Sequence, residues 1–297
     1  TNRIRKHEFT RPDKEDDRVR QIDALNAQTG PVLLAYRSDA TVDSILANAA
    51  AAIPEVDIVA DDGIAHRLWV IRDAAIIDEI TQRFDAMPAL YIADGHHRSA
   101  SASRIAAARK AANPNHTGDE AYNYFLAVMF PHEQMRIMDY NRVVKDLHGH
   151  DKAAFLAAIK NAFGVEPHNG QAKPAQRGEF GMYLDGQWYR LRINADLVPS
   201  DPVARLDVSL LQANLLDPLL GIKDPRRDSR IDFVGGIRGL SELEKRVNSG
   251  EMQVAFALFA TPMQDLMAVA DAGEVMPPKS TWFEPKLADG LVSHLLD

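Results

Sequence analysis

Short apolar runs alternate with amphipathic stretches along the chain, and that rhythm predicts an α/β protein. Pro31-Val32-Leu33-Leu34-Ala35-Tyr36 reads as a buried strand, and a helix is expected from Thr41 to Ala52, stopping before Pro54. Ala65 to Ile71 has strand character, and Ile76, Ile77, Ile80 and Phe84 fall on one helical face. Ala89-Leu90-Tyr91-Ile92-Ala93 is a second short apolar run. Asp94-Gly95 follows it at once, and then an alanine-rich helix from Ser99 to Ala112. Ahead of all this, the stretch through Arg20 is densely charged, with Pro12 suited to a first helical turn and acidic residues just behind it.

The remainder predicts a second α/β layer. Tyr124 to Phe130 reads as a strand, with Met135 to Met138 as its partner after a short turn. Lys152 to Phe163 is amphipathic and helical, and Phe180–Leu184, Asp185-Gly186 and Gln187–Leu191 read as a hairpin because Asp-Gly is a favoured hairpin turn. Helices are expected near Val208–Leu220 and Ser241–Val247, strands at Ile231–Val234 and Val254–Phe259. The break in pattern at Leu147-His148-Gly149-His150 suggests two units, 1–147 and 148–297.

Composition narrows the classes. With 297 residues and 46% hydrophobic content the chain can bury one large core or two ordinary ones. A formal net charge of −8 argues against a dedicated nucleic-acid binder, although a local basic patch stays open. There are no cysteines, which excludes disulfides, Cys-based zinc sites and a Cys nucleophile. No apolar run is long enough to span a membrane, and no secretory segment follows the basic, polar start, so a cytoplasmic location is expected.

The chemistry concentrates at Asp94-Gly95-His96-His97-Arg98. A turn from the carboxyl end of a strand into a helix leaves free backbone N–H groups at the positive end of the helix dipole, a place suited to phosphate. Gly95 permits close backbone approach, and Arg98 offers a planar fork to phosphate or carboxylate oxygens. Asp94 can act as a general base or hold magnesium, while His96 and His97 can donate to phosphate oxygens or move protons. The same residues also describe an ordinary strand-to-helix turn with Asp as a cap.

The run Tyr91 to Arg98 with the small-residue helix after it resembles the signature of the ParB/sulfiredoxin-like superfamily. More closely, nearly the whole chain resembles a bacterial family of unknown function, through His7-Glu8-Phe9-Thr10-Arg11-Pro12-Asp13-Lys14, Gln28-Thr29-Gly30-Pro31, Asp139-Tyr140-Asn141-Arg142-Val143-Val144 and Met276 to Lys286. The superfamily holds nucleotide phosphates at this turn, CTP in ParB and ATP in sulfiredoxin, and one branch comprises free serine kinases that make O-phosphoserine. The resemblance thus implies a small-molecule kinase using ATP or ADP with Mg and free L-serine as candidate acceptor. In that reading Asp94 activates the hydroxyl or binds the metal, and Gly95, His96, His97 and Arg98 bind phosphates. Sulfiredoxin's own activity is excluded, because its reactive Cys has no equivalent. Family members carry a further segment ahead of Thr1, so a second catalytic carboxylate is expected there, with Glu8 as the substitute within this sequence. A ParB-like nucleotide switch and a non-catalytic regulatory module are the alternatives; a homo-oligomer is left open.

Other constellations add less. Gly273 to Ser280 nearly spells a P-loop, but Pro278 replaces the second glycine and removes an N–H. Lys279 and Ser280 are retained as nucleotide-binding candidates, against the alternative of a solvated loop. Arg226, Arg227 and Arg230 sit in a mixed-charge run that reads more simply as a solvated loop. His148 and His150 lack a third metal ligand at a suitable spacing, and no Gly-x-Ser-x-Gly elbow exists.

Overall fold

The computed structural model describes residues 2–283 and 286–297 and gives an α+β architecture built on two sheets. In the first sheet Leu90–Asp94 is central. It runs parallel to the short strand Ile4–Arg5 and antiparallel to Val32–Tyr36, which in turn pairs in parallel with Ala127–Pro131. The antiparallel pairing puts the carboxyl end of Leu90–Asp94 beside the start of Val32–Tyr36, with Leu33 opposite Asp94. Thr29 and Gly30, which lead into Val32–Tyr36, therefore lie next to the Asp94-Gly95 turn.

Four helices accompany this sheet: α1 (Pro12–Leu25), α2 (Ala40–Ala50), α3 (Ala74–Ala86) and α4 (His96–Ala112). α1 opens on Pro12 with Asp13 and Glu15 in its first turn, and Asn26 closes it in the left-handed conformation that Asn tolerates. Asp39 and Asp73 cap α2 and α3, each carboxylate accepting from two backbone amides. α4 has no such cap. It starts three residues earlier than expected, on a glycine at φ 94, so His96, His97 and Arg98 form its first turn.

The second sheet has six strands, all antiparallel, in the order 163–168, 187–193, 179–184, 254–258, 140–144, 231–235. Asp185 and Gly186 both take positive φ, as the expected Asp-Gly hairpin requires. Phe180, facing Leu191 on one side and Leu258 on the other, is fully buried with Phe155, Phe163 and Phe256 in the main core.

Several expectations are corrected. Ile137–Met138 pairs with Trp282–Phe283 near the chain end, not with the preceding strand, because Pro131 and a turn of 3₁₀ helix carry the chain away from the first sheet. The helix from Lys152 ends at Ile159, and Phe163 opens an edge strand that tolerates Pro167 for lack of an outer neighbour. Only Ala65–Leu68 is extended, in a two-stranded ribbon with Val56–Val59. Tyr140–Val144, ahead of the 147/148 break, belongs to the second sheet. Met263–Asp271 is an additional helix.

After that helix the chain returns to the first sheet. Met276 N–H donates to the His7 carbonyl at 2.8 Å, Gly290 N–H to Thr29 at 3.0 Å, and His294–Leu295 pairs with Ala27–Gln28. Residues from the chain's two ends thus frame the Asp94-Gly95 turn. Thr1, and Glu284 and Pro285 of the Met276–Lys286 segment, lie outside the described residues.

Candidate functional site

Asp94 ends a strand whose middle is buried, so its carboxylate stands at the sheet's rim rather than within it. One oxygen accepts from the Gly95 amide at 2.9 Å, and the other is 3.4 Å from Lys286 Nζ. Gly95 is required twice over. Its φ of 94 is in the left-handed region, and a Cβ there would lie 3.0 Å from Arg98 Nε and 3.3 Å from Val32 Cα. Gly30 clears the other side of the same guanidinium, since a Cβ on it would meet Asp289 Oδ1 at 2.8 Å and Arg98 Nη1 at 3.1 Å. Arg98 itself pairs with Asp289 at 3.3 Å.

Two cavities open on either side of this turn. The first, about 230 Å³, lies over the start of α4 and is lined by Asp94, Gly95, His96, His97 and Arg98, by Thr29 and Gly30, and by Arg18 and Gln21 from α1. The second, about 260 Å³, is lined by His7, Tyr140, Met276, Lys279, Ser280, Trp282 and Lys286. Glu8 and Asp94 border both. Asp94 and Glu8, the substitute for a carboxylate expected ahead of Thr1, therefore both stand between the two cavities.

The histidines have separate surroundings. His97 Nε2 accepts from the Arg11 amide at 3.0 Å, which ties the start of α1 to α4 and places the proton of a neutral ring on Nδ1. His96 points inward, with Nδ1 3.8 Å from Glu8 Oε2 and Nε2 buried without a partner. Burial pushes its pKa down to about 4, so at neutral pH it is an uncharged ring rather than a cationic phosphate ligand. His7 lies edge-on to it, centroids 4.6 Å apart, and burial with the nearby His96 depresses its pKa to about 3. At the rim, desolvation raises the Glu8 pKa and Asp94 adds to the rise, against the pull of His97.

The retained C-terminal candidates fall in the second cavity, across Asp94 from the α4 amides. Lys279 Nζ sits 5.4 Å above the Tyr140 ring, and Arg142, buried beneath, donates to the Lys279 carbonyl at 3.0 Å. Ser280 is buried and its hydroxyl donates to Pro277. The 226–230 arginines pair with carboxylates of their own loop: Arg226 with Asp224 at 2.9 Å and Arg230 with Asp228 at 2.7 Å. Sequence reasoning left the His7-Glu8 pair between an exposed terminus and a part of the site, and it missed Arg18, Lys286 and Asp289. Lys286 lay in a segment singled out as distinctive, whereas Asp289 carried no local signal at all.

These features define an α+β protein with an uncapped helix start facing a cavity and two carboxylates between two pockets. The chain belongs to the family described as Protein of unknown function (DUF1015), which matches residues 1–209. No curated protein matches it in sequence. Among solved structures it is similar to a free serine kinase in complex with AMP, at 13% identity and TM-score 0.43 over 95% of this chain and 84% of that one. It is also similar to SbnI with C-terminal truncation from Staphylococcus aureus, at 9% identity and TM-score 0.46 over 97% and 82%. A conserved hypothetical protein from Pyrococcus furiosus matches at 15% identity and TM-score 0.41 over 97% and 90%. No helix among the described residues is long and apolar enough to cross a membrane.

Proposed function

We propose that this protein is a nucleotide-dependent phosphotransferase acting on the hydroxyl of a small molecule, with free L-serine, the acceptor named by the sequence resemblance, as the first to test. The observation that carries the reading is the junction of two cavities at Glu8 and Asp94, directly over the uncapped start of α4. The first cavity takes the nucleotide phosphates, on the α4 amides and the Arg98 guanidinium. The second takes the acceptor, with Lys279 and Lys286 available to an acceptor carboxylate.

Transfer then needs little covalent help from the protein. The acceptor oxygen bonds to the terminal phosphorus as the bond from that phosphorus to the leaving phosphate oxygen breaks, and the hydroxyl proton passes to a carboxylate. Glu8 is the better base. Its raised pKa brings it nearer to neutrality, and it lacks the two contacts that occupy Asp94. Asp94, fixed by Gly95 and Lys286, is the better cation ligand. A carboxylate facing a phosphate pocket fits Mg²⁺, which takes oxygen donors and would neutralise charge on the transferring phosphate when bound.

Protein incubated with Mg-ATP or Mg-ADP and L-serine should yield O-phosphoserine, followed by ³¹P NMR. Nucleotide hydrolysis without phosphoserine would replace this reading with a ParB-like switch. No calorimetric binding of any nucleotide would remove both and leave a non-catalytic regulatory module.

A further inference from the structure

We propose that His7, His96 and Glu8 form a binding site for a divalent transition-metal ion such as Zn²⁺, distinct from magnesium on the nucleotide. Each of the three offers one ligand atom, and these atoms lie within 4.8 Å of one another. His7 is 2% exposed and His96 6%. Three of their four ring nitrogens, His7 Nδ1 and Nε2 and His96 Nε2, are buried without a hydrogen-bond partner. Buried polar atoms are ordinarily satisfied, so three orphans in one place need an account. The two rings meet edge-on and do not bond to each other. The Ile92 backbone lies within reach of the His7 ring, where a metal-bound imidazole would send its other N–H.

The donor set decides the class of ion. Two neutral imidazoles and a carboxylate suit zinc and its first-row neighbours, whereas Mg²⁺ takes oxygen ligands. A zinc–nitrogen bond of about 2.0 Å would bring the ligand atoms to about 3.3 Å apart, closer than they now stand. Glu8 is the most exposed of the three and the one free to swing inward. Because Glu8 borders both cavities, an ion here would present its open positions to their junction.

This site shares Glu8 with the phosphotransfer reading, and an ion held there would take that carboxylate from its role as base, but it rests on different observations, and metal and nucleotide binding are measured separately. Chelator-treated full chain titrated with Zn²⁺ alone should take up one ion with a Kd at least tenfold below that for Mg²⁺. Co²⁺ in its place should give the visible bands of a four-coordinate nitrogen–oxygen site. The variants H7Q and H96Q should each weaken Zn²⁺ binding tenfold or more and abolish the Co²⁺ bands. Wild-type protein that binds no stoichiometric Zn²⁺ and shows no such bands overturns the inference, without recourse to any variant. Zn²⁺ binding unchanged in the double variant overturns it as well. Loss of nucleotide binding with the metal site intact bears only on the phosphotransferase reading.

Discussion

The two sheets of this protein do different work. The six-stranded sheet is enclosed, with Phe155, Phe163, Phe180, Phe256 and Leu191 fully buried around it. The four-stranded sheet supports α2 and α3, of which α2 buries only Val42 and α3 buries nothing. Yet the candidate chemistry hangs on the less enclosed sheet, at the rim of its central strand. Most of the packed mass thus lies with one sheet, although Leu33, Ala35 and Tyr91 of the other join its core, and it is the rim of that other sheet that presents groups reachable by ligands.

The largest expected effect tests the stability side. Phe180→Ala should cost about 3–5 kcal/mol in chemical denaturation, because a fully buried aromatic leaves a cavity its neighbours cannot close. A loss below about 1 kcal/mol would mean that the six-stranded sheet is not the stability centre. Next comes the chemical side. Asp94→Asn should lower phosphoserine formation about 10²-fold or more while leaving the denaturation midpoint nearly unchanged, since its carboxylate meets the Gly95 amide and Lys286 at the rim. A midpoint that falls along with activity would erase the separation of the two regions.

The turn that carries Asp94 was legible because all its signals are local: an apolar run, Asp-Gly and a helix-forming tail within one short stretch. The hairpin at Asp185-Gly186 was legible for the same reason. Tyr140–Val144 was not, because a strand containing Asn141 and Arg142 does not read as core. Both are buried and satisfied by distant partners, Asn141 Oδ1 accepting from Leu258 N–H at 3.0 Å and Arg142 donating to the Lys279 carbonyl. Half of the candidate site was hidden likewise. Lys286 and Asp289 reach Asp94 and Arg98 only because the chain folds back there, and the His7-Glu8 pair, open in the sequence between terminus and site, follows a two-residue strand too short to show a period. The family likeness marked these segments as distinctive without saying that they meet.

Gly95→Ala sharpens the comparison at the backbone. The φ of 94 should cost about 1–2 kcal/mol in a residue with a Cβ. The new methyl would also press on Arg98 Nε, so calorimetry should register weaker nucleotide binding together with the stability loss. Stability lost with affinity unchanged would separate Arg98 from the phosphate pocket.

Asp207 offers a pH test within the enclosed region. Burial raises its pKa to about 7, while one oxygen accepts from Gly178 N–H at 2.9 Å and the other is buried without a partner. Its folded pKa exceeds its unfolded value, so its favourable contribution is complete below about pH 3.8 and is lost as pH rises through 7. Asp207→Asn should therefore raise Tm by a few degrees at pH 8, with the gain fading as pH falls toward 5. A pH-independent difference would show that the carboxyl's charge is not what the sheet tolerates.

The smallest effect is the most telling for the open region. Ile77, on the face of α3 that the sequence marks as apolar, is 44% exposed and contributes to no buried cluster. Ile77→Ser should change stability by no more than about 0.5 kcal/mol, as exposed substitutions do, apart from the modest helix-propensity difference. A cost near that of a core residue would mean that this face is covered in solution, and the contrast between the two sheets would then belong to the isolated chain rather than to the protein at work. Measuring the same variant across a concentration series separates the cases, because a cover supplied by a second copy makes the cost grow with concentration, whereas one supplied within the chain does not.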